Sequence, residues 1–80
     1  MQMNKDVFPK EFFVEINKDE FRIGRLTVNK NSRGFTCEID IVQKETMKIW
    51  RHVDFLSNLI DEHEATEMGV HGLTQYLKRS

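Results

Sequence analysis

The stretch from His63 to Gly72, HEATEMGVHG, holds the densest group of chemically capable side chains in the sequence. It contains two histidines, two glutamates and two glycines within ten residues. Histidine and glutamate can bind a metal ion or exchange protons, and glycine allows a backbone to approach a phosphate. The question is whether the rest of the chain arranges these residues for any of those reactions.

A metal site is the first possibility for this stretch. HEATE carries Glu67 at the position where the zinc-binding sequence HExxH has its second histidine. His63 and Glu67 could each supply one ligand. His71 lies about 12 Å from His63 along an unbroken helix, and ligands that share an ion lie about 2 Å from it. We therefore predict no metal and no cofactor, with His63, Glu67 and His71 as weak metal candidates only.

A phosphate-binding loop is the second possibility, because Gly69-Val70-His71-Gly72 has the GxxG pattern that can clamp a nucleic-acid backbone. The two middle positions hold no lysine or arginine. Four acidic residues lie just upstream and would repel phosphates, namely Asp61, Glu62, Glu64 and Glu67. We instead predict that Gly69 and Gly72 end or kink a helix and allow close packing.

Nucleophilic and acid–base catalysis find no better support in the sequence. Cys37 shares its strand parity with Phe35 and Ile39, so it should point inward as a small apolar side chain. A reactive thiolate needs exposure and a positively charged neighbour. A domain of this size also rarely encloses a substrate pocket of roughly several hundred Å³. We expect no enzymatic activity.

Length and composition define the kind of molecule that carries these residues. The chain has 80 residues, of which 39% are hydrophobic, and its 12 basic and 13 acidic residues give a net charge of −1. This predicts one small domain over residues 1–80 and no strong attraction to nucleic acid or an anionic membrane. The lone cysteine, the charged N-terminal residues and the lack of a long apolar run predict a cytoplasmic protein that neither is exported nor spans a membrane.

Alternating hydrophobic residues predict three antiparallel strands, at about 11–17, 20–29 and 34–42. The apolar phase changes inside the second strand, where Phe21 and Ile23 share one parity and Leu26 and Val28 share the other. We predict a β-bulge at Gly24-Arg25 that restores a single apolar face. In the resulting register Val28 lies opposite Phe35.

Residues 46–53 fit two structures. Met47, Ile49 and Val53 suit a fourth strand in which Lys48 lies across from Asp40, whereas the spacing from Ile49 to His63 suits a helix. We favour the strand, followed by helices at about 54–68, with Asp54 as N-cap, and 71–79. The predicted fold class is α+β, a three- or four-stranded antiparallel β-meander with one face covered by C-terminal helices.

The predicted register leaves aromatic side chains on the outer face of the sheet, where nothing in the chain covers them. Exposed aromatic residues beside arginine are typical of binding surfaces. The alternative is that residues 46–53 are helical and Trp50 packs in the core. The predicted partner-binding residues are Phe13, Arg22, Val42, Lys48, Trp50 and His52.

Three classes of function follow, in decreasing order of support. The first is a small non-catalytic protein–protein interaction or regulatory module, possibly a homodimer, that uses the outer face or an edge of its sheet. The second is a single-stranded nucleic-acid-binding module in which Trp50 and Phe13 stack on bases, with phosphates bound by Arg22, Lys48, Arg51 and His52. The third is a small metal-dependent enzyme built around His63, Glu67 and His71.

Overall fold

The computed structural model of the chain describes residues 7–79, which form four strands and one helix. The strands are β1 (Lys10–Glu15), β2 (Arg22–Asn31), β3 (Gly34–Gln43) and β4 (Ile49–Leu59), and the helix is α1 (Glu62–Arg79). The strands form one antiparallel sheet in the order β1-β2-β3-β4. The predicted α+β class and meander are confirmed, with one helix in place of two. Residues 1–6 and 80 of the predicted domain lie outside the described residues.

The core lies between α1 and the face of the sheet that we call the inner face. Cross-strand partners share a face of an antiparallel sheet, and the inner face contains the aligned residues Phe12, Leu26 and Ile39. The fully buried apolar residues of this core come from both layers: Leu26, Val28, Cys37, Ile39, Ile41, Ala65 and Leu73. Burial of this shared apolar surface holds the helix on the sheet.

The two glycines of α1 lie inside the helix and do not end it, so the predicted helix stop was wrong. A Cβ atom on Gly69 would lie 2.7 Å from Cys37 Sγ, and one on Gly72 would lie 2.9 Å from the Cδ1 atom of Ile39. The glycines therefore allow the helix backbone to approach the sheet closely. This packing offsets the low helix propensity of glycine and explains the GxxG pattern without a ligand.

The predicted bulge at Gly24-Arg25 is also absent, because β2 pairs in continuous register with both of its neighbours. Gly24 is itself an inner-face residue, and the side chain of Leu73 occupies the space where a Cβ would stand. Leu73 therefore supplies the apolar group that the strand lacks at this position. Ile23 points to the other face, and Val28 pairs with Cys37, two residues away from the predicted Phe35.

Strand β4 extends through residues that we predicted to be the helix 54–68. Its register against β3 shifts three times, and each shift adds one residue to β4. Because of these bulges, the half-buried residues Val53, Leu56 and Leu59 pack on the core at intervals of three residues, where a regular strand would give two. This spacing imitates that of a helix. Asp54 lies within the strand and caps no helix.

Helix α1 begins at Asp61 and Glu62, several residues later than predicted. Asp61 Oδ1 accepts a hydrogen bond from the Glu64 N–H at 2.8 Å, and Glu64 Oε1 accepts one from the Ile60 N–H at 2.6 Å. Asp61 therefore caps the helix, and Glu64 reaches back to the residue before the cap, an arrangement close to a capping box. Within residues 7–79, no helix has the length and apolar character needed to cross a membrane.

The inward position of Cys37 gives a first testable prediction. Burial, and to a smaller extent the charge of Glu38, raises the pKa of the Cys37 thiol to about 11, so at pH 8 about one thiol in a thousand is ionised. We expect the native protein to react with an aromatic disulfide reagent at least about a hundredfold more slowly than the urea-unfolded chain, because the thiolate is the nucleophile and the native thiol is covered. A native rate close to the unfolded rate would contradict this burial.

Candidate functional site

The outer face of the sheet, opposite α1, is the candidate site. It is defined by three cross-strand rows that follow from the register of the four strands. The middle row contains Phe13, Arg25, Asp40 and His52; one flanking row contains Glu15, Ile23, Val42 and Ile49, and the other contains Glu11, Thr27, Glu38 and Phe55. The predicted outer-face residues Phe13, Val42 and His52 are among them.

No element of residues 7–79 covers this face, since α1 packs on the inner side. Large apolar side chains lie open on both edge strands: Phe13 on β1 is 46% exposed, and Phe55 and Ile49 on β4 are 56% and 53% exposed. Val42 lies between them but is fully buried. The prediction that Val42 is an exposed contact residue was therefore wrong, because neighbouring side chains cover this central strand.

A polar cluster occupies the middle of the outer face. The carboxylate of Asp40 is fully buried; its Oδ2 lies 3.4 Å from Arg25 Nη2 and its Oδ1 lies 2.9 Å from His52 Nδ1. The same His52 nitrogen lies 3.7 Å from Glu38 Oε2. Arg25 also lies 4.0 Å from Glu11 on the edge strand. The buried charge of Asp40 is therefore paired on both sides, as a buried carboxylate requires.

The electrostatics of this cluster shift two titratable groups. The hydrogen bond to Asp40 raises the pKa of His52, because it stabilises the imidazolium form. Burial raises the pKa of Glu38, and the adjacent carboxyl of Asp40 raises it further. Asp40 contributes to both shifts, because its negative charge favours a proton on either neighbour.

The remaining predicted partner-binding residues lie elsewhere. Arg22 pairs with Gln43 and lies two residues before Gly24, on the same inner side of the strand. Its predicted position on the outer face was therefore wrong. Its guanidinium lies 4.4 Å from the ring centre of Trp50, and that of Arg51 lies 5.5 Å from it. Lys48, which we predicted to lie opposite Asp40, lies in the loop before β4, and His52 takes that position instead. Phe13 and His52 thus share one face, while Arg22 and Trp50 form a separate group.

The stretch that first suggested chemistry lies on the solvent side of α1. His63 Nε2 and Glu67 Oε2 are 3.2 Å apart, and both side chains are largely exposed. His71 belongs to the same continuous helix. In residues 7–79 the close group of three histidine, cysteine or acidic ligands is instead Glu38, Asp40 and His52. Alternation in the sequence predicts that Glu38 and Asp40 share one face. The bulges that bring His52 beside them could not be predicted from the sequence pattern.

Comparisons with known proteins find no relative of this chain: no family model, no curated protein and no solved structure matches it. The functional inference therefore rests on the geometry and charge of the outer face.

Proposed function

We propose that this domain is a non-catalytic interaction module whose outer face binds a basic and apolar segment of a protein partner. The observation that carries the proposal is the uncovered sheet face itself. It combines exposed Phe13, Ile49 and Phe55 with an acidic centre. Apolar side chains exposed on a small domain are typical of surfaces that a partner covers.

The charge of the face defines the chemistry of the partner. Its four carboxyl groups, on Glu11, Glu15, Glu38 and Asp40, outnumber the cations that contact them, which are Arg25, Lys44 and, when protonated, His52. Electrostatic complementarity therefore favours a segment that carries lysine or arginine between apolar residues. A second copy of this chain stacked face to face would bring like charges together, so the same pattern disfavours a homodimer through this face.

The alternative of single-stranded nucleic-acid binding draws its support from Trp50, where an aromatic ring lies beside Arg22 and Arg51. Stacking on an aromatic ring flanked by cations is how such proteins hold bases. Here the guanidinium groups of Arg22 and Arg51 already lie against the ring, and Arg22 is also paired with Asp19 at 2.7 Å. The outer face would repel phosphates. The protein-binding proposal is therefore the better supported of the two.

The test uses a short peptide that alternates lysine with leucine, a matched peptide that alternates glutamate with leucine, and an oligothymidylate. Binding is measured by NMR titration of the ¹⁵N-labelled full chain in the presence of a chelator. We expect the lysine peptide to bind and to shift the amide signals of outer-face residues. Its affinity should fall as salt rises, since complementary surface charges are screened.

Matched variants separate the outer face from exposed apolar surface in general. The double variant Phe13→Ser with Phe55→Ser should weaken binding at least about tenfold. The control variant Met68→Ser with Val70→Ser removes comparably exposed side chains from α1 and should bind as the natural chain does. Equal binding of the glutamate peptide, preference for the oligothymidylate, or signal shifts confined to α1 would contradict the proposal. So would a stable dimer that buries the outer face.

A further inference from the structure

We propose that Glu38, Asp40 and His52 form a binding site for a divalent transition-metal ion of the Zn²⁺ class. Each residue offers one ligand atom, and these three atoms all lie within 4.8 Å of one another. The inference concerns the ion alone and does not depend on the proposed protein partner.

The distances within the cluster suit a metal ion. In a tetrahedral site with ligands at about 2.0 Å, the ligand atoms lie about 3.3 Å from each other. His52 Nδ1 lies 2.9 Å from Asp40 Oδ1 and 3.7 Å from Glu38 Oε2. The side chains of Glu38 and His52 are half-exposed and can make the small adjustment that remains. Because these two side chains are partly exposed, solvent can reach the cluster.

The β-bulge of β4 aims the imidazole at the two carboxyl groups. The register shifts by one residue between Ile39 and Asp40, so that Asp40 pairs with His52. Without this shift, Asp40 would pair with Val53 and His52 would pair with Ile41 on the inner face. Bulges commonly redirect a side chain at functional sites. This one adds a nitrogen ligand to two oxygen ligands that already share a face.

The donor set and the surrounding charges favour a divalent ion with affinity for nitrogen. One imidazole with two carboxylates suits Zn²⁺ and its neighbours in the first transition row, whereas Mg²⁺ and Ca²⁺ prefer oxygen ligands alone. Arg25 contacts Oδ2 of Asp40 and leaves Oδ1 directed at His52. Arg25 is a single permanent cation beside two carboxylates, so a divalent ion at Oδ1 meets net negative charge.

The helix stretch provides a matched control for the site. His63 and Glu67 also place a histidine and a carboxylate 3.2 Å apart, but they are exposed on a helix, and among residues 7–79 no third ligand lies close to both. Two protein ligands bind a metal weakly compared with three. His63→Ala and His52→Ala therefore remove the same side chain from two surroundings that differ in the number of their ligands.

The experiment titrates Zn²⁺ into the chelator-treated full chain by calorimetry and follows Co²⁺ by its visible absorption. We expect one ion per chain, an unchanged affinity for His63→Ala, and a loss of at least about a hundredfold for His52→Ala. Glu38→Gln, which keeps the shape of the side chain, should weaken binding about tenfold. NMR spectra of each variant verify the fold before titration.

Three results would overturn the site. They are no binding up to millimolar Zn²⁺, a loss with His63→Ala equal to that with His52→Ala, or a stoichiometry of one ion per two chains. Since no peptide is present in this titration, its failure leaves the proposed protein-binding function untouched. Conversely, the peptide titration contains a chelator, so its failure does not bear on the metal site.

Discussion

Replacing Leu73 by alanine should lower the free energy of unfolding by about 2–5 kcal/mol, one of the two largest losses that we expect from a single substitution. Leu73 is 1% exposed and fills the space above Gly24, where the strand has no side chain of its own. Its removal leaves a cavity that the sheet cannot close, because a glycine has nothing to move into it. The measurement is urea unfolding followed by far-ultraviolet circular dichroism.

Ile60→Ala is the matched control, since it removes a similar volume from the residue two positions before α1. Ile60 is 79% exposed, so its truncation should change stability by no more than about 0.5 kcal/mol. For an 80-residue domain, whose total stability is about 4–12 kcal/mol, the Leu73 variant could be largely unfolded. Leu73→Val then gives a smaller loss in the same direction. If Leu73→Ala and Ile60→Ala lowered the free energy of unfolding equally, α1 would have to be rotated about its axis, with Leu73 no longer facing the sheet.

The sequence predicts the meander because the hydrophobic alternation of its strands is a local property. Phe35 to Ile41 alternates without interruption, and the structure keeps that parity. The second strand was harder to predict, because a change in the phase of its apolar residues can be accommodated in two ways. A bulge can restore one apolar face, or another element can fill the gap. The chain uses the second at Gly24, and only the position of Leu73 in space distinguishes the two.

The C-terminal half shows why hydrophobic spacing alone could not locate the helix. Three bulges in β4 convert the strand period of two residues into one of three, which is close to a helical turn. Because bulges depend on pairing with β3, they are not visible in residues 49–59 alone. The glycines of α1 led to a separate error. We predicted that they end or kink a helix, because glycine more often ends a helix than allows it to pack closely on a sheet.

The candidate site was predictable in part for the same reasons. Alternation places Phe13, Glu38 and Asp40 on one face, and the structure retains them there. The partner opposite Asp40 was predicted to be Lys48 and is His52, because the loop before β4 is longer than assumed and the strand is bulged. That exchange replaces a simple ion pair with the cluster that we propose as a cation site. The sequence therefore predicts which charged residues share the outer face. Which residue lies opposite Asp40 depends on the register of β4, which the sequence alone does not give.

The second large effect is expected at Gly69, where alanine should destabilise the protein by about 1–3 kcal/mol. Alanine has the better helix propensity by about 1 kcal/mol, so an isolated helix would gain stability. In this fold the new Cβ would lie 2.7 Å from Cys37 Sγ and 3.1 Å from Leu26 Cδ1, both in fully buried side chains. The steric overlap outweighs the propensity because neither neighbour has space to move into.

A double-mutant cycle with Cys37→Ala identifies the cause of that loss. Removing Sγ takes away the closest atom, so the double variant should recover about 1 kcal/mol relative to the sum of the single changes. Gly72→Ala is the control on the same helix; its Cβ would meet only the terminal methyl of Ile39, at 2.9 Å, and its cost should be smaller. If Gly69→Ala instead raised the unfolding midpoint, the helix could not lie this close to β3. The inner face would then be packed less tightly than the burial of Cys37 requires.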